Sequence, residues 1–88
     1  MKSQTLRSFW KCYHSLPQAI RKEARKAYRL FRTNPKHPSL HFHRLQREQD
    51  CWSVRVTQDF RAVGIVERGE INWIWIGSHE DFDKAFPK

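Results

Sequence analysis

Six basic residues lie within a twelve-residue stretch: Arg21, Lys22, Arg25, Lys26, Arg29 and Arg32, with Glu23 the lone acid among them. Cationic groups at this density are suited above all to neutralising phosphate. The mixed signs that support i,i+4 pairing on an ordinary solvated helix are missing. Lys36, His43 and Arg44 extend the basic run and are candidates for the same contact. His43 is also able to stack on a base or pass a proton. The plain alternatives are a solvated helix face for the stripe and exposed strand positions for His43 and Arg44. His37, His41 and His43 invite a metal reading. No Cys, Asp or Glu joins them at ligand spacing, so no metal is expected.

These side chains need elements to place them. Ile20, Ala24, Ala27, Tyr28 and Phe31 fall on one arc at helical spacing, opposite the basic stripe, and predict a helix over about 17–33. Pro17 suits its first turn, Ser15 is a candidate cap, and Asn34-Pro35 ends it. Residues 4–15 are expected to begin as a short strand and then turn helical, with Phe9, Tyr13 and Leu16 at i, i+4, i+7. His41–Leu45 alternates like a strand. Trp52, Val54 and Val56 alternate with Ser53, Arg55 and Thr57 at period two. Phe60–Val66 follows as a strand, then an Arg68-Gly69 turn, then Ile71–Ile76, apolar on both faces save Asn72 and so internal to the sheet. Trp73 and Trp75 belong to a core more readily than to a stacking platform. Ser78 caps a short helix over 78–86, with Glu80 and Asp81 in its first turn. Helices first and a meander of strands after give an α+β fold. N-terminal helices pack on one face of a mainly antiparallel four-stranded twisted sheet, and the other face stays free for function.

The 88 residues fit one domain, 1–88. The net charge of +8 is unevenly spread. Residues 1–47 hold twelve Lys/Arg against one acid, and residues 48–88 hold five against eight. A basic half of this kind is the footprint of a nucleic-acid binder, and it also fits an acidic protein partner. No apolar run approaches the ~20 residues of a membrane helix. The N-terminus is polar and basic rather than signal-like. No membrane partner is expected, the cytoplasm is the expected compartment, and Cys12 and Cys51 are expected to stay reduced there.

Several strings, in order, carry a resemblance: Leu16-Pro17, the basic helix into Asn34-Pro35, His43-Arg44-Leu45, Asp50-Cys51-Trp52-Ser53-Val54-Arg55-Val56, Phe60-Arg61-Ala62-Val63 and Trp75-Ile76-Gly77-Ser78-His79. The set resembles the RelE/ParE toxin superfamily across nearly the whole chain. The resemblance implies a toxin of a type II toxin–antitoxin system, partnered by an acidic antitoxin. RelE-type members are ribosome-dependent mRNA endonucleases without metal or small-molecule cofactor, whose partners are the ribosome and mRNA. ParE-type members instead poison DNA gyrase, and a catalytically eroded RNA-binding member is a third form. Arg55 matches a family strand basic, and Arg61 the arginine after the aromatic. His79 falls where RelE proteins tend to carry Arg and some relatives His. Ser53 departs from a family lysine. Phe82 and Phe86 lie near the place of the C-terminal tyrosine of many active members.

Under that resemblance Arg55 and Arg61 hold the scissile phosphate and its developing charge, and His79 moves a proton. The bland alternatives are a paired strand arginine and a locally bonded helix-start histidine. Register decides whether the arginines meet. A two-residue turn at Gln58-Asp59 pairs Thr57 with Phe60 and sends them to opposite faces. A one-residue shift with a three-residue connection puts them on one face. A shared active site needs the second arrangement.

Overall fold

The computed structural model describes residues 1–45 and 50–87. Strand β1 (Lys2–Thr5) leads into helices α1 (Arg7–His14) and α2 (Gln18–Thr33). A 3-10 turn at Pro38–Leu40 precedes β2 (His43–Arg44), β3 (Cys51–Thr57), β4 (Phe60–Glu67), β5 (Glu70–Ser78) and α3 (His79–Ala85). The sheet order is β1-β5-β4-β3-β2. The four expected strands run antiparallel, and β1 adds a fifth, parallel to β5. Three bonds seat β1 and the start of α1 against β5. Trp73 Nε1 donates to Ser3 Oγ at 2.9 Å, the Leu6 amide to the Trp73 carbonyl at 2.9 Å, and Ser8 Oγ to the Ile74 carbonyl at 2.8 Å.

Helix α2 places Pro17 at its N-cap with no side-chain cap bond. Ser15, expected as the cap, instead donates its hydroxyl back to the Lys11 carbonyl at 3.1 Å, closing α1. Helix α1 packs on β5 and α2 on β3. Between them the helix-facing side of β4 carries the small residues Ala62 and Gly64, which keep the sheet surface low there. A Cβ on Gly64 would sit 2.7 Å from Ile71 Cγ1. Phe31, Val54, Ala62, Ile71, Trp73 and Ile76 form the core on this side, with Phe31 edge-on to Trp73 at 5.2 Å.

The second face is not free along its whole length, contrary to expectation. Trp75 pairs with Val63 on that side and packs against Phe86 at 5.4 Å and Phe82 at 6.1 Å, so α3 folds over the sheet. Val63, Cys51 and Ser53 on the same face are buried. An irregularity at Ile74 lets Trp73 pair with Gly64 and Trp75 with Val63, sending two tryptophans at i, i+2 to opposite faces.

Candidate active site

The β3–β4 hairpin sets the site. Thr57 pairs with Phe60, as a two-residue turn demands. Arg55 nevertheless pairs with Arg61, because β3 carries one extra residue, Val56, as a bulge. The two arginines are therefore direct cross-strand neighbours on the face opposite α1 and α2. Like charges in that position repel. One terminal nitrogen of Arg61, Nη1, donates to the carbonyls of Thr57 (2.8 Å), Phe60 (3.0 Å) and Gln58 (3.2 Å), which draws the turn in around the guanidinium. Burial lowers the Arg61 pKa from its usual value, and the charge of Arg55 lowers it further, while Asp59 and Asp83 oppose both. Arginine starts so high that the group stays cationic. Arg55 Nη1 lies 3.4 Å from His41 Nε2.

His43 pairs with Ser53, two residues before Arg55, so it shares their face. Its Nδ1 lies 2.6 Å from the His41 carbonyl. A carbonyl only accepts, so Nδ1 carries the proton and Nε2 keeps its lone pair in the neutral ring. Arg44 points the other way, paired with Trp52, and its Nε sits 3.0 Å from Asp50 Oδ1. The same carboxylate oxygen accepts from Trp52 Nε1 at 3.1 Å. The structure thus separates Arg44 from the arginine pair.

His79 is the first residue of α3, whose N-terminus Ser78 caps by accepting the Asp81 amide at 3.1 Å. Arg61 pairs with Gly77 and Phe60 with Ser78, which brings His79 to the hairpin end. The His79 amide donates to the Asp59 carbonyl at 2.6 Å, tying α3 to the turn that Arg61 holds. His79 Nδ1 lies 3.4 Å from Asp83 Oδ2. Gly77 has a steric task beside them: a Cβ there would sit 2.6 Å from the Trp75 ring, which lies across it.

The α2 stripe belongs to the opposite side of the sheet. Arg25 donates to the Tyr13 hydroxyl at 2.7 Å, bridging α2 to α1. Arg21 Nε is buried without a hydrogen-bond partner, and Arg32 lies 6.0 Å from the Tyr28 ring centre. Arg29 and Lys36 are exposed. Arg21, Arg25, Arg29, Arg32 and Lys36 make no contact with Arg55, Arg61, His43 or His79 among the described interactions, although Arg55 shares a crevice with Glu23 and Lys26 at the edge of α2. Among the described residues no group of three His, Cys, Asp or Glu could hold a metal ion. Asp83, His41 and Trp75 were not picked out as site neighbours from sequence. The i,i+4 spacing of His79 and Asp83 was the available signal for the first; the other two depend on tertiary folding.

A mixed five-stranded sheet with two helices on one face, a third helix on the other and a cationic pair beside that third helix defines a toxin-type α+β domain. The family model of the ParE-like toxin domain matches residues 18–84, and the chain belongs to that family. Among solved structures it is similar to the RelB–RelE antitoxin–toxin complex of Methanococcus jannaschii, with a TM-score of 0.76, 14% identity, and 96% of this chain and 99% of that chain covered. YafQ from E. coli gives a TM-score of 0.74 at 13% identity over 92% of this chain and 96% of that chain. The YoeB/ParE toxin of Agrobacterium tumefaciens gives 0.69 at 20% identity over 90% and 99%. At these identities the likeness is one of fold. No curated protein matches the sequence.

Proposed function

We propose that this chain is the toxin of a type II toxin–antitoxin system and acts in the cytoplasm as a ribosome-dependent mRNA endonuclease. The observation that carries this reading is the cross-strand contact of Arg55 with Arg61, with His79 at the hairpin end. Two arginines paired across adjacent strands, with no ion pair to either among the described residues, favour a bound phosphate. Strand scission by the RNA's own 2′-hydroxyl needs a base for that hydroxyl, charge relief at the phosphate and an acid for the departing 5′-oxygen. Nε2 of His43 suits the base, the arginines the phosphate, and His79 the acid.

The partner is an acidic antitoxin, as RelB is partnered with RelE and DinJ with YafQ in the complexes of similar fold. A groove of about 360 Å³ between α1 and α2, walled by Phe9, Trp10 and Tyr28 and rimmed by Arg25 and Arg29, supports capture of an acidic amphipathic segment. Trp10 is 42% exposed at its edge.

Primer extension on translated mRNA after induced expression tests the function. New 5′ ends at codon boundaries, lost in Arg55→Ala, are expected. Broken DNA with intact mRNA would replace the endonuclease by a gyrase poison.

A further inference from the structure

Asp83 is an exposed carboxylate on α3. In α3 it stands one turn after His79, with Oδ2 3.4 Å from His79 Nδ1. On the same helix Glu80 pairs with Lys84 at 3.9 Å, and the Asp81 backbone amide donates to the Ser78 cap. Across the site, Asp83 also acts electrostatically on Arg61, alongside Asp59. It is thus a carboxylate that meets the His79 ring and also opposes the lowering of the Arg61 pKa.

We propose that Asp83 is a positioning residue, which holds the His79 ring through Nδ1 so that Nε2 is the nitrogen presented beside Arg61. This deepens the endonuclease reading and rests on it for its catalytic consequence. A carboxylate only accepts, so the neutral ring carries its proton on Nδ1, and the charged ring offers its Nε2–H to a leaving oxygen. Without the carboxylate the ring is free to rotate about its side-chain bonds and to take the other tautomer. The groups around His79 are Asp83 and Glu80 on its own helix, Asp59 and Arg61 from the hairpin, and Arg55 beyond Arg61.

The test starts with a readout that needs no activity. Nitrogen-15 NMR of the His79 ring in the full chain should show an Nδ1–H neutral ring in the wild type and an Nε2–H ring in Asp83→Ala. Asp83→Asn, which keeps an acceptor without charge, should retain the wild-type tautomer. An unchanged tautomer in Asp83→Ala overturns the proposal whatever the protein cleaves. In ribosome-dependent cleavage, kcat should fall about two- to fivefold in Asp83→Ala, the scale of one exposed charge contact, with KM unchanged. Asp83→Glu should restore part of the loss. A tautomer switch without any cleavage in the wild type would sink the nuclease and leave the ring contact standing. An equal loss in Asp83→Ala and Asp83→Glu, tracking a lowered melting temperature, would make Asp83 merely structural and overturn its positioning role.

Discussion

Arg55 and Arg61 sit directly opposite each other although Thr57 and Phe60 do too, because Val56 is an extra residue in β3. A regular ladder closing on a two-residue turn would have sent one guanidinium to the helix side of the sheet. The bulge places both on one side, where their charges oppose each other. An arginine pairing that works against folding yet is built into the hairpin fits the anion-binding role proposed for it.

Arg55→Gln relieves that repulsion and removes half of the anion clamp. Stability should stay level or rise by up to about 1 kcal/mol, the scale of a cross-strand pair. Cleavage should fall by about 10²-fold or more, as for loss of one preorganised charge donor. Urea unfolding and cleavage of the same samples check both. A destabilised but fully active Arg55→Gln protein would falsify the clamp.

Arg61 behaves differently, because its Nη1 also holds three carbonyls of the turn. Arg61→Gln should cost about 1–3 kcal/mol, the range for losing hydrogen bonds from a charged donor, as well as activity. Arg61→Lys keeps a charged single-nitrogen donor but no bidentate grip on phosphate, and so should recover more of the stability than of the activity. The depressed Arg61 pKa gives the pH dependence its sign. Burial penalises the cation, and that cost is full below the folded-state value and fades only as pH rises through it. The stability gap between wild type and Arg61→Gln should therefore be flat from pH 6 to 9. A gap that changes steeply there would mean that another titrating group carries the effect.

How far the sequence revealed this arrangement depended on periodicity. The α2 arc, the Arg68-Gly69 turn and the alternation of β3 were all legible, since each is a local pattern with a local cause. Arg68 and Gly69 both take positive φ, 52° and 79°. The parallel pairing of β1 was not legible, because it is set by where α1 and α2 return the chain. Nor were the bulges at Val56 and Ile74. Each changes which face a side chain takes, and neither Val nor Ile announces a bulge as Gly would. The arginine pair could be framed only as two alternatives, and Trp73 and Trp75 looked like companions although they serve opposite faces.

Gly77→Ala probes the second of those faces. The added methyl would meet the Trp75 ring at 2.6 Å and push it from the place where it packs on Phe86. A loss of about 1–3 kcal/mol is expected, as for overpacking elsewhere. Trp75 fluorescence should move to the red, and cleavage should fall because α3 carries His79. Wild-type stability with unchanged emission would show that the ring moves aside without cost.

The α2 surface is expected to make a different kind of contact, to phosphate backbone, and salt dependence tests it. Arg29 and Lys36 are exposed and make no ion pair among the described residues, whereas Arg25 is committed to Tyr13. Each phosphate contact releases counterions, so Arg29→Ala should weaken ribosome binding and reduce the salt slope by about 0.7–0.9. Lys36→Ala should do the same. Arg25→Ala should also loosen α1 against α2, visible as a lower melting temperature, since its bond spans the two helices. None of the three should change the cleavage rate once the ribosome is saturated, because none of them is among the α2 residues that share a crevice with Arg55. If Arg29→Ala slows saturated cleavage while leaving the salt slope intact, the stripe is part of the chemistry and the division of the molecule into a docking side and a cutting side fails.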